Sequence, residues 1–488
     1  MRIALKKYSR IAGVLLLVTG ICIIPSFVVA MIYREQTCIQ WFGGTMAFCL
    51  IPAALILRFA PPPSVRIKPR DGYLIVSLTW IIISLISAVP LTGSGAIPSF
   101  VDAFFEMCSG YSTTGSTILT DIEALPKSML FWRSFTHWVG GMGIIVLGAA
   151  ILPSLGIEGQ VIASAETPGP TMDKLTAHYS DTAKRLYELY FAFTVIETVL
   201  LVFGGMGLFD ALVHTFGTVG TGGYSDYNNG VAHFQSPYIQ WVLILFMAMC
   251  GTNFNLYFGV PKKGLKAFLE DEECRLYLLI MLGCSLGIAA DLLLRGVFSS
   301  LFESLTAAFF HVSSIMTTTG YSTENYDLWP TFSKMLLLVV FFTGASSSST
   351  GGGPKIIRIV VAIKLIRRNV ALKMHPHRFY NIKVNGRIVS QEVATSICNF
   401  LFFYVFVLIA GTLIISLNGF DLMTTFSAAL TCLGNVGPGF ALVGPVCNFS
   451  IFNPFSKIVL SFLMIAGRLE LFTFFMLFFR RYWNPNRY

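Results

Sequence analysis

One short motif of small residues recurs four times along the chain, and it restricts the possible folds more than any other feature. The four copies are Thr113-Thr114-Gly115, Thr221-Gly222-Gly223, Thr318-Thr319-Gly320 and Asn435-Val436-Gly437. Their last glycines are 108, 97 and 117 residues apart. Because solenoid units are only about 20 to 50 residues long, this spacing indicates four larger structural repeats.

The segments before the four glycines agree in register. An apolar residue stands eleven positions before each glycine, and a small residue stands one position earlier; the pairs are Ala103-Phe104, Ala211-Leu212, Ala308-Phe309 and Thr425-Phe426. Each apolar lead-in is about a dozen residues long, which is too short for a helix that crosses a bilayer. The pattern therefore predicts four half-helices that enter a membrane and turn back at the glycine.

Composition places the chain in a membrane. Of the 488 residues, 55% are hydrophobic and 12% are charged, and the mean hydropathy is +0.70, outside the range of soluble globular proteins. The apolar runs lack the alternation of barrel strands, so they are predicted to be helices, whose backbone satisfies its own hydrogen bonds. The first run is predicted to be a retained helix rather than a signal peptide, because it is too long and lacks a convincing cleavage site.

The sequence predicts an all-α integral membrane protein with an N-terminal two-helix hairpin and four helix–pore loop–helix repeats in pseudo-fourfold arrangement around one pore. The predicted units are 1–70 for the hairpin, then 71–160, 161–262, 263–388 and 389–488 for the repeats. Ten spanning helices are predicted, at 11–33, 37–57, 72–93, 130–153, 181–206, 237–260, 275–295, 331–368, 391–417 and 455–481, with a cytoplasmic loop at 154–174. The half-helices are predicted at 100–112, 208–219, 301–317 and 420–433.

Charge placement predicts the orientation. Basic residues concentrate near the N terminus and at 58–70, 262–266 and 355–387, and the last block holds nine Lys or Arg and no acid. The alternate loops carry Asp121, Glu123, Asp226, Glu324 and Asp327. The positive-inside rule then predicts that both termini are cytoplasmic and that the glycine turns lie towards the outer side.

The four turns are suited to binding a cation. A cation that sheds its water needs a cage of oxygens, and backbone carbonyls aimed at one axis supply it. Glycine adopts the positive φ that such a loop requires at little steric cost. The predicted filter consists of Thr113, Thr114, Gly115, Thr221, Gly222, Gly223, Thr318, Thr319, Gly320, Asn435, Val436 and Gly437. The alternative is that the turns are helix caps between ordinary hairpins.

A second feature interrupts the last helix of the third repeat. Residues 344–354 form a run of small residues that ends in Pro354, and such a run disfavours a regular helix. We predict an unwound segment below the filter, which acts as a gate; its residues are Gly344, Ala345, Ser346, Ser347, Ser348, Ser349, Thr350, Gly351, Gly352 and Gly353. The alternative is a plain loop between two short helices.

Arg468 lies near the centre of the last apolar run, where a charge is costly and faces the bundle interior. It is predicted to point into the pore and to donate hydrogen bonds to carbonyls of the 344–353 segment. The alternative is an ion pair with an acid on another helix.

Weaker signals concern the packing of the helices. Glu106, His214 and His311 each stand nine residues before their glycine and are predicted to buttress the half-helices. Gly140, Gly141 and Gly143 are predicted to allow close helix packing.

The four motifs together resemble the Trk/Ktr/HKT superfamily of potassium transporters. The chain length, the extra N-terminal hairpin and the fourth-loop sequence Gly434-Asn435-Val436-Gly437-Pro438-Gly439 are most similar to membrane subunits of Trk type. The resemblance covers essentially the whole chain. It implies K+ uptake in a bacterial inner membrane through a filter with one glycine per wall, above an intramembrane gate loop. In the plant branch a serine at the first filter glycine accompanies Na+ transport, so Gly115 favours K+.

The resemblance also implies a homodimer and a cytosolic ring of RCK-type (TrkA-like) regulatory subunits that bind nucleotides. The sequence itself contains neither GxGxxG after a predicted strand nor GxxxxGK[ST], and it predicts no cofactor bound by this chain. No catalytic triad or metal cluster indicates an enzyme. A Na+- or H+-coupled secondary transporter with alternating access stays open as the alternative, although that class favours inverted repeats.

Overall fold

The structure is a computed structural model that describes residues 2–59, 69–143, 179–376 and 380–479. The fold begins with a helical hairpin, Arg2–Ile32 and Gln36–Phe59. The two helices pack closely because Gly13 and Gly20 of the first face Ile56 and Leu50 of the second. The predicted N-terminal hairpin is confirmed.

Each of the four repeats has a long or broken helix on either side of a half-helix. The first helices of the repeats are Pro69–Gly93, Tyr179–Phe203, Glu272–Leu294 and Gln391–Ile415. The half-helices are Phe100–Tyr111, Leu208–Val219, Leu301–Met316 and Leu422–Gly434. The closing helices are Lys127–Gly141, Pro237–Cys250, Thr331–Phe341 continued by Ile356–Met374, and Pro454–Arg468.

Local sequence explains where the half-helices begin. Three of them have a polar N-cap, Ser99, Ser300 or Asp421, whose side chain accepts a hydrogen bond from a backbone N–H of the first turn. The second begins after Gly207, without a side-chain cap. The observed bounds of all four half-helices lie within two residues of the predicted ones.

Two of the four closing helices end earlier than predicted. The helices expected to continue through 237–260 and 455–481 end at Cys250 and Arg468. By length and apolar composition six of the described helices could cross a membrane, or seven if Pro454–Arg468 and Phe472–Phe478, bent by 117°, count as one span. Six of the ten predicted spans, or seven with the bent pair, meet this criterion within the described residues, and the full count of ten stays a prediction. Part of the predicted helix 130–153, and the predicted loop 154–174, lie outside the described residues.

The fourth closing helix ends where it packs against the fourth half-helix. A β-carbon on Gly467 would overlap the carbonyl oxygen of Leu433 at the end of the fourth half-helix. Just beyond, Glu470 and Leu471 have φ of 58° and 54°, a left-handed conformation that ends an α-helix. Shorter elements complete the fold, namely the helices Phe254–Tyr257, Val260–Lys263, Lys266–Glu270 and Phe472–Phe475 and the antiparallel strands Lys383–Val384 and Arg387–Ile388.

Candidate functional site

The four glycine loops have the same backbone conformation. Two residues before each glycine the chain is left-handed, with φ of 55° at Thr113, 55° at Thr221, 60° at Thr318 and 56° at Asn435. The glycines have φ of 82°, 78°, 83° and 99° in the same order. A left-handed non-glycine residue costs roughly 1–2 kcal/mol, so four equivalent ones indicate a conformation fixed by the surroundings.

The loops join into a closed ring. A β-carbon on any of the four glycines would overlap the middle carbonyl oxygen of a neighbouring loop. The pairs are Gly115 with Gly222, Gly223 with Thr319, Gly320 with Val436, and Gly437 with Thr114. Each loop therefore contacts the next in chain order, and the fourth contacts the first. Only a residue without a side chain allows this approach.

A cavity of about 600 Å³ lies over one side of the ring. Gly115, Gly223, Gly320 and Gly437 all line it. The four loops therefore face one space, which is large enough to hold several water molecules.

Hydroxyl groups tie the loops to one another. The Tyr224 hydroxyl lies 3.0 and 3.2 Å from the carbonyl oxygens of Glu106 and Ser116, which both belong to the first repeat and share its one proton. Tyr321 stands at the equivalent position of the third repeat, and its hydroxyl lies 2.9 and 3.2 Å from the carbonyl oxygens of His214 and Tyr224. The repeated geometry fixes the spacing between neighbouring loops.

The fourth loop is tied differently, because Pro438 replaces the tyrosine. The Ser116 hydroxyl donates to the Gly437 carbonyl at 3.1 Å, and the Tyr326 hydroxyl donates to the Gly439 carbonyl at 2.8 Å. The first and third loops therefore hold the fourth from its two sides.

The predicted buttresses are confirmed. The Glu106 carboxylate accepts hydrogen bonds from Thr117 Oγ1 at 2.9 Å and from the Ile118 N–H at 3.0 Å. His214 Nε2 lies 3.1 Å from Ser225 Oγ, and His311 Nε2 lies 3.3 Å from the Glu324 carbonyl oxygen. Each of these side chains joins its half-helix to the segment that leaves the loop.

In the fourth repeat Ser427 makes the equivalent link, because its hydroxyl lies 3.1 Å from both the N and the O of Phe440.

Arg133 was not predicted from the sequence to belong to the site. Its guanidinium forms a buried ion pair with Glu106 at 2.7 Å and lies 4.2 Å from the centre of the Tyr224 ring. The only signal was a lone arginine in an apolar segment.

The 344–353 segment lies directly against the ring, on the side away from the cavity. The Gly352 N–H donates to Thr318 Oγ1 at 2.6 Å. β-Carbons on Gly351 and Gly352 would lie 2.7 Å from the Thr317 carbonyl oxygen and 2.8 Å from that of Gly434. The predicted break in the helix is confirmed, since Thr331–Phe341 and Ile356–Met374 flank it.

Arg468 makes the contact expected of it. One guanidinium nitrogen donates to the Thr350 carbonyl at 2.7 Å, and the other donates to the carbonyls of Gly140 and Gly141, each at 2.7 Å. Arg468 thereby joins the 344–353 segment to the closing helix of the first repeat. Glu470 forms an ion pair with Arg358.

Gly140 and Gly141 allow this arrangement. β-Carbons at these positions would overlap the Tyr111 carbonyl and come within 2.7 Å of the Gly220 α-carbon, so the predicted close packing is confirmed.

The first residues of the basic block at 355–387 are buried. Lys355 and Arg358 are 1% and 4% exposed. Lys355 Nζ donates to the Gly351 carbonyl at 2.5 Å, and Arg358 NH1 donates to the Pro354 carbonyl at 2.8 Å. Both cations are compensated by the carbonyls of the unwound segment, whose peptide groups lack helical partners.

The site's oxygens come chiefly from the backbone. Among the described residues no group of three or more His, Cys, Asp or Glu side chains is placed to hold a metal ion. Cys38 and Cys447 are both free thiols. A ring of carbonyls can coordinate a dehydrated monovalent cation without a charged ligand.

Known proteins resemble the chain over nearly its full length. A family model described as TrkH, cation transport protein, matches residues 40–484. The Trk system potassium uptake protein TrkH of Escherichia coli (strain K12) is 36% identical over 98% of this chain and 99% of its own length. The Trk system potassium uptake protein TrkI of Halomonas elongata is 32% identical over 97% and 96%. The crystal structure of the potassium transporter TrkH from Vibrio parahaemolyticus matches with a TM-score of 0.87 and 33% identity, covering 98% of this chain and 99% of that one.

Proposed function

The chain belongs to the TrkH family of cation transport proteins, and we propose that it takes up K+ through a gated pore whose selectivity filter is the ring of four loops. The observation that carries the proposal is the closure of that ring, in which Gly437 meets Thr114. A closed ring offers a cation oxygens from all sides, whereas an open row of loops would leave it partly exposed to lipid or protein.

The filter residues are Thr113 to Gly115, Thr221 to Gly223, Thr318 to Gly320, and Asn435 to Gly437. Carbonyl oxygens replace the hydration shell of K+, and the half-helices direct their C-terminal ends, which carry partial negative charge, towards the loops. The relatives named as potassium uptake proteins support K+ as the ion.

The gate consists of Gly344 to Gly353 together with Arg468. The unwound segment lies against the ring, and the Arg468 guanidinium binds the Thr350 carbonyl. A fixed positive charge below a cation filter opposes the passage of K+, so the described conformation corresponds to a closed pore. Opening requires Arg468 and the segment to separate.

We place the protein in a bacterial inner membrane as a multi-pass homodimer, with both termini in the cytoplasm and the cavity on the outer side. The arrangement of basic loops supports this orientation. A cytosolic RCK-type subunit, similar to TrkA, would supply nucleotide control of the gate. We propose that the membrane potential drives uptake, alone or together with a coupled flow of protons or Na+.

A coupled transporter with alternating access is the competing function. It requires the substrate site to be exposed first on one side and then on the other, through rocking of inverted repeats. The four glycines line a single cavity, which supports four repeats in one orientation and so favours a pore.

Growth rescue tests the proposal. The chain, co-expressed with its regulatory subunit, is expected to restore growth of a potassium-uptake-deficient bacterium in low K+ medium, and an Rb+ uptake assay should show the same dependence. Absence of rescue, with the protein present in the membrane fraction, would contradict K+ uptake.

A further inference from the structure

One buried carboxylate holds both ends of the 344–353 segment. Glu273 is 3% exposed and lies in the first turn of the helix Glu272–Leu294. Its Oε1 accepts hydrogen bonds from the N–H groups of Ser347 and Ile357 at 2.6 and 3.1 Å, and its Oε2 accepts from Ser347 Oγ at 2.6 Å. Ser347 lies near the start of the segment and Ile357 just after its end, so a single side chain fixes the separation of the two ends.

The residues before Glu273 hold a β-hairpin. Asn385, at the hairpin turn, donates through Nδ2 to Asp271 Oδ2 at 2.6 Å and accepts from the Glu272 N–H at 2.8 Å. Its own N–H donates to Glu272 Oε1 at 3.1 Å. Asn385 and Gly386 have φ of 49° and 77°, which suits the tight turn between the paired strands.

Lys364 closes the connection. Its ammonium pairs with the Glu272 carboxylate and also donates to the Lys383 carbonyl at 2.6 Å. Lys364 belongs to the helix Ile356–Met374, which starts where the unwound segment ends. Contacts therefore run in one continuous loop through the 344–353 segment, the helix Ile356–Met374, the hairpin and residues 271–273.

We propose that Glu273 is a positioning residue of the gate segment and that the hairpin at residues 383–388 controls it. The inference rests on the proposed function, because it assigns a control element to the same gate. A cytosolic protein that draws the hairpin away from Asp271 and Glu272 moves the start of the helix Glu272–Leu294. Glu273 moves with it and releases Ser347 and Ile357 together, so the segment can leave the ring.

The strength of these contacts makes the link effective. Hydrogen bonds to an ionised carboxylate are about twice as strong as those between neutral groups. The hairpin lies at one end of the link and the gate at the other, with only the adjacent residues 271, 272 and 273 between them. A displacement of the hairpin therefore reaches the segment without passing through a flexible linker.

Rb+ flux into proteoliposomes tests the role of Glu273. Glu273→Gln removes one of the two carboxylate oxygens, so we expect flux without the regulatory subunit to rise about tenfold. The matched control is Glu270→Gln, a nearby carboxylate whose pair with Lys263 is exposed, with expected flux equal to wild type. Ser347→Ala added to Glu273→Gln should raise flux by less than the product of the two separate effects, because both variants break the same contact. Multiplicative effects would show that the two side chains act on flux independently and would contradict the role of their contact.

Asn385→Gly tests the hairpin. Glycine keeps the positive φ but removes the side-chain amide. We therefore expect the flux response to the regulatory subunit to fall, while the melting temperature stays equal to that of the Glu270→Gln control. An unchanged response would overturn the role of the hairpin.

Arg468→Ala, measured in parallel, distinguishes failure of the present inference from failure of the proposed gate. If Arg468→Ala raises flux and Glu273→Gln does not, the present inference is wrong and the gate stands; if neither raises flux, the gate is misplaced and both fall.

Discussion

Gly437 in the fourth loop lies against Thr114 in the first, so close that a β-carbon on Gly437 would come within 2.5 Å of the Thr114 carbonyl oxygen. The other three ring contacts join loops that follow one another in the chain. This one joins the last loop to the first and closes the ring. Because of this contact the fourth loop needs a glycine at position 437, although its two preceding residues, Asn435 and Val436, differ from those of the other loops.

The inter-loop hydroxyls should set the stability of the ring. Tyr321→Phe leaves two buried carbonyls, those of His214 and Tyr224, without this donor, and we expect a loss of about 1–3 kcal/mol in unfolding free energy. The exposed Tyr238 is the matched control, since its hydroxyl makes one contact at 3.3 Å with Leu200. Thermal melting in detergent measures both variants. Equal melting temperatures for Tyr321→Phe and Tyr238→Phe would contradict the role of Tyr321.

The buried ion pair between Glu106 and Arg133 should be far more sensitive than an exposed one. Glu106→Gln leaves the Arg133 cation uncompensated in the interior, with an expected cost of about 3–5 kcal/mol. Loss of the Lys263–Glu270 pair should cost far less, because both side chains are exposed and their attraction is screened by solvent. Adding Arg133→Met to Glu106→Gln should recover part of the lost stability, because the unpaired charge is gone. A double variant that is as unstable as the sum of the two single ones would show that the pair is not coupled.

Asp226 should make stability depend on pH. It is buried, 3.8 Å from both Lys127 Nζ and His214 Nδ1. Burial, reinforced by the neighbouring Asp210 carboxyl, raises the pKa of Asp226 from 3.8 to about 7. A carboxyl with a raised folded-state pKa contributes fully to stability below its unfolded pKa, and that contribution is lost as the pH rises through the folded value.

A neutral amide in place of this carboxyl should therefore stabilise the protein at alkaline pH. Asp226→Asn should raise the melting temperature relative to wild type at about pH 8, and the difference should shrink as the pH falls to the unfolded pKa of 3.8, below which the wild-type carboxyl is protonated in both states. Melting curves of both proteins across this range measure it. A difference that grows towards acid pH would contradict the assignment.

Arg468 should keep the pore closed. Arg468→Ala removes the charge and the three bonds to Thr350, Gly140 and Gly141, and we expect Rb+ flux to rise by about tenfold or more. Arg295→Ala is the control, because Arg295 is an exposed arginine that pairs with Asp291 four residues earlier. Unchanged flux in Arg468→Ala at normal expression would exclude the gate role.

The half-helices and loops could be predicted because their determinants are local. Leu208–Val219 has the predicted bounds, and the glycines mark positions that need a positive φ. The register of the four motifs also indicated that the glycine loops would surround one axis, since equivalent positions in a pseudo-fourfold arrangement face it.

The break at 344–354 was predicted, but the early ends of the second and fourth closing helices, at Cys250 and Arg468, could not be. Hydropathy reports whether a segment suits lipid and does not report whether its helix is continuous. Nothing near Gly467 in the sequence shows that the Leu433 carbonyl lies beside it. For the same reason Glu273 gave no signal, since its partner Ser347 lies 74 residues away.

The K+ to Na+ permeability ratio of Gly115→Ser tests the ring most directly. Serine at this position must adopt the left-handed φ of 82°, and its β-carbon overlaps the Gly222 carbonyl oxygen, so the oxygens can no longer keep the spacing suited to K+. Gly95→Ser is the matched control, because Gly95 has φ of 79° but open space around its β-carbon position. A ring of four loops predicts a lower ratio in Gly115→Ser and an unchanged one in Gly95→Ser. An unaltered ratio in a conducting Gly115→Ser protein would show that the filter lies elsewhere.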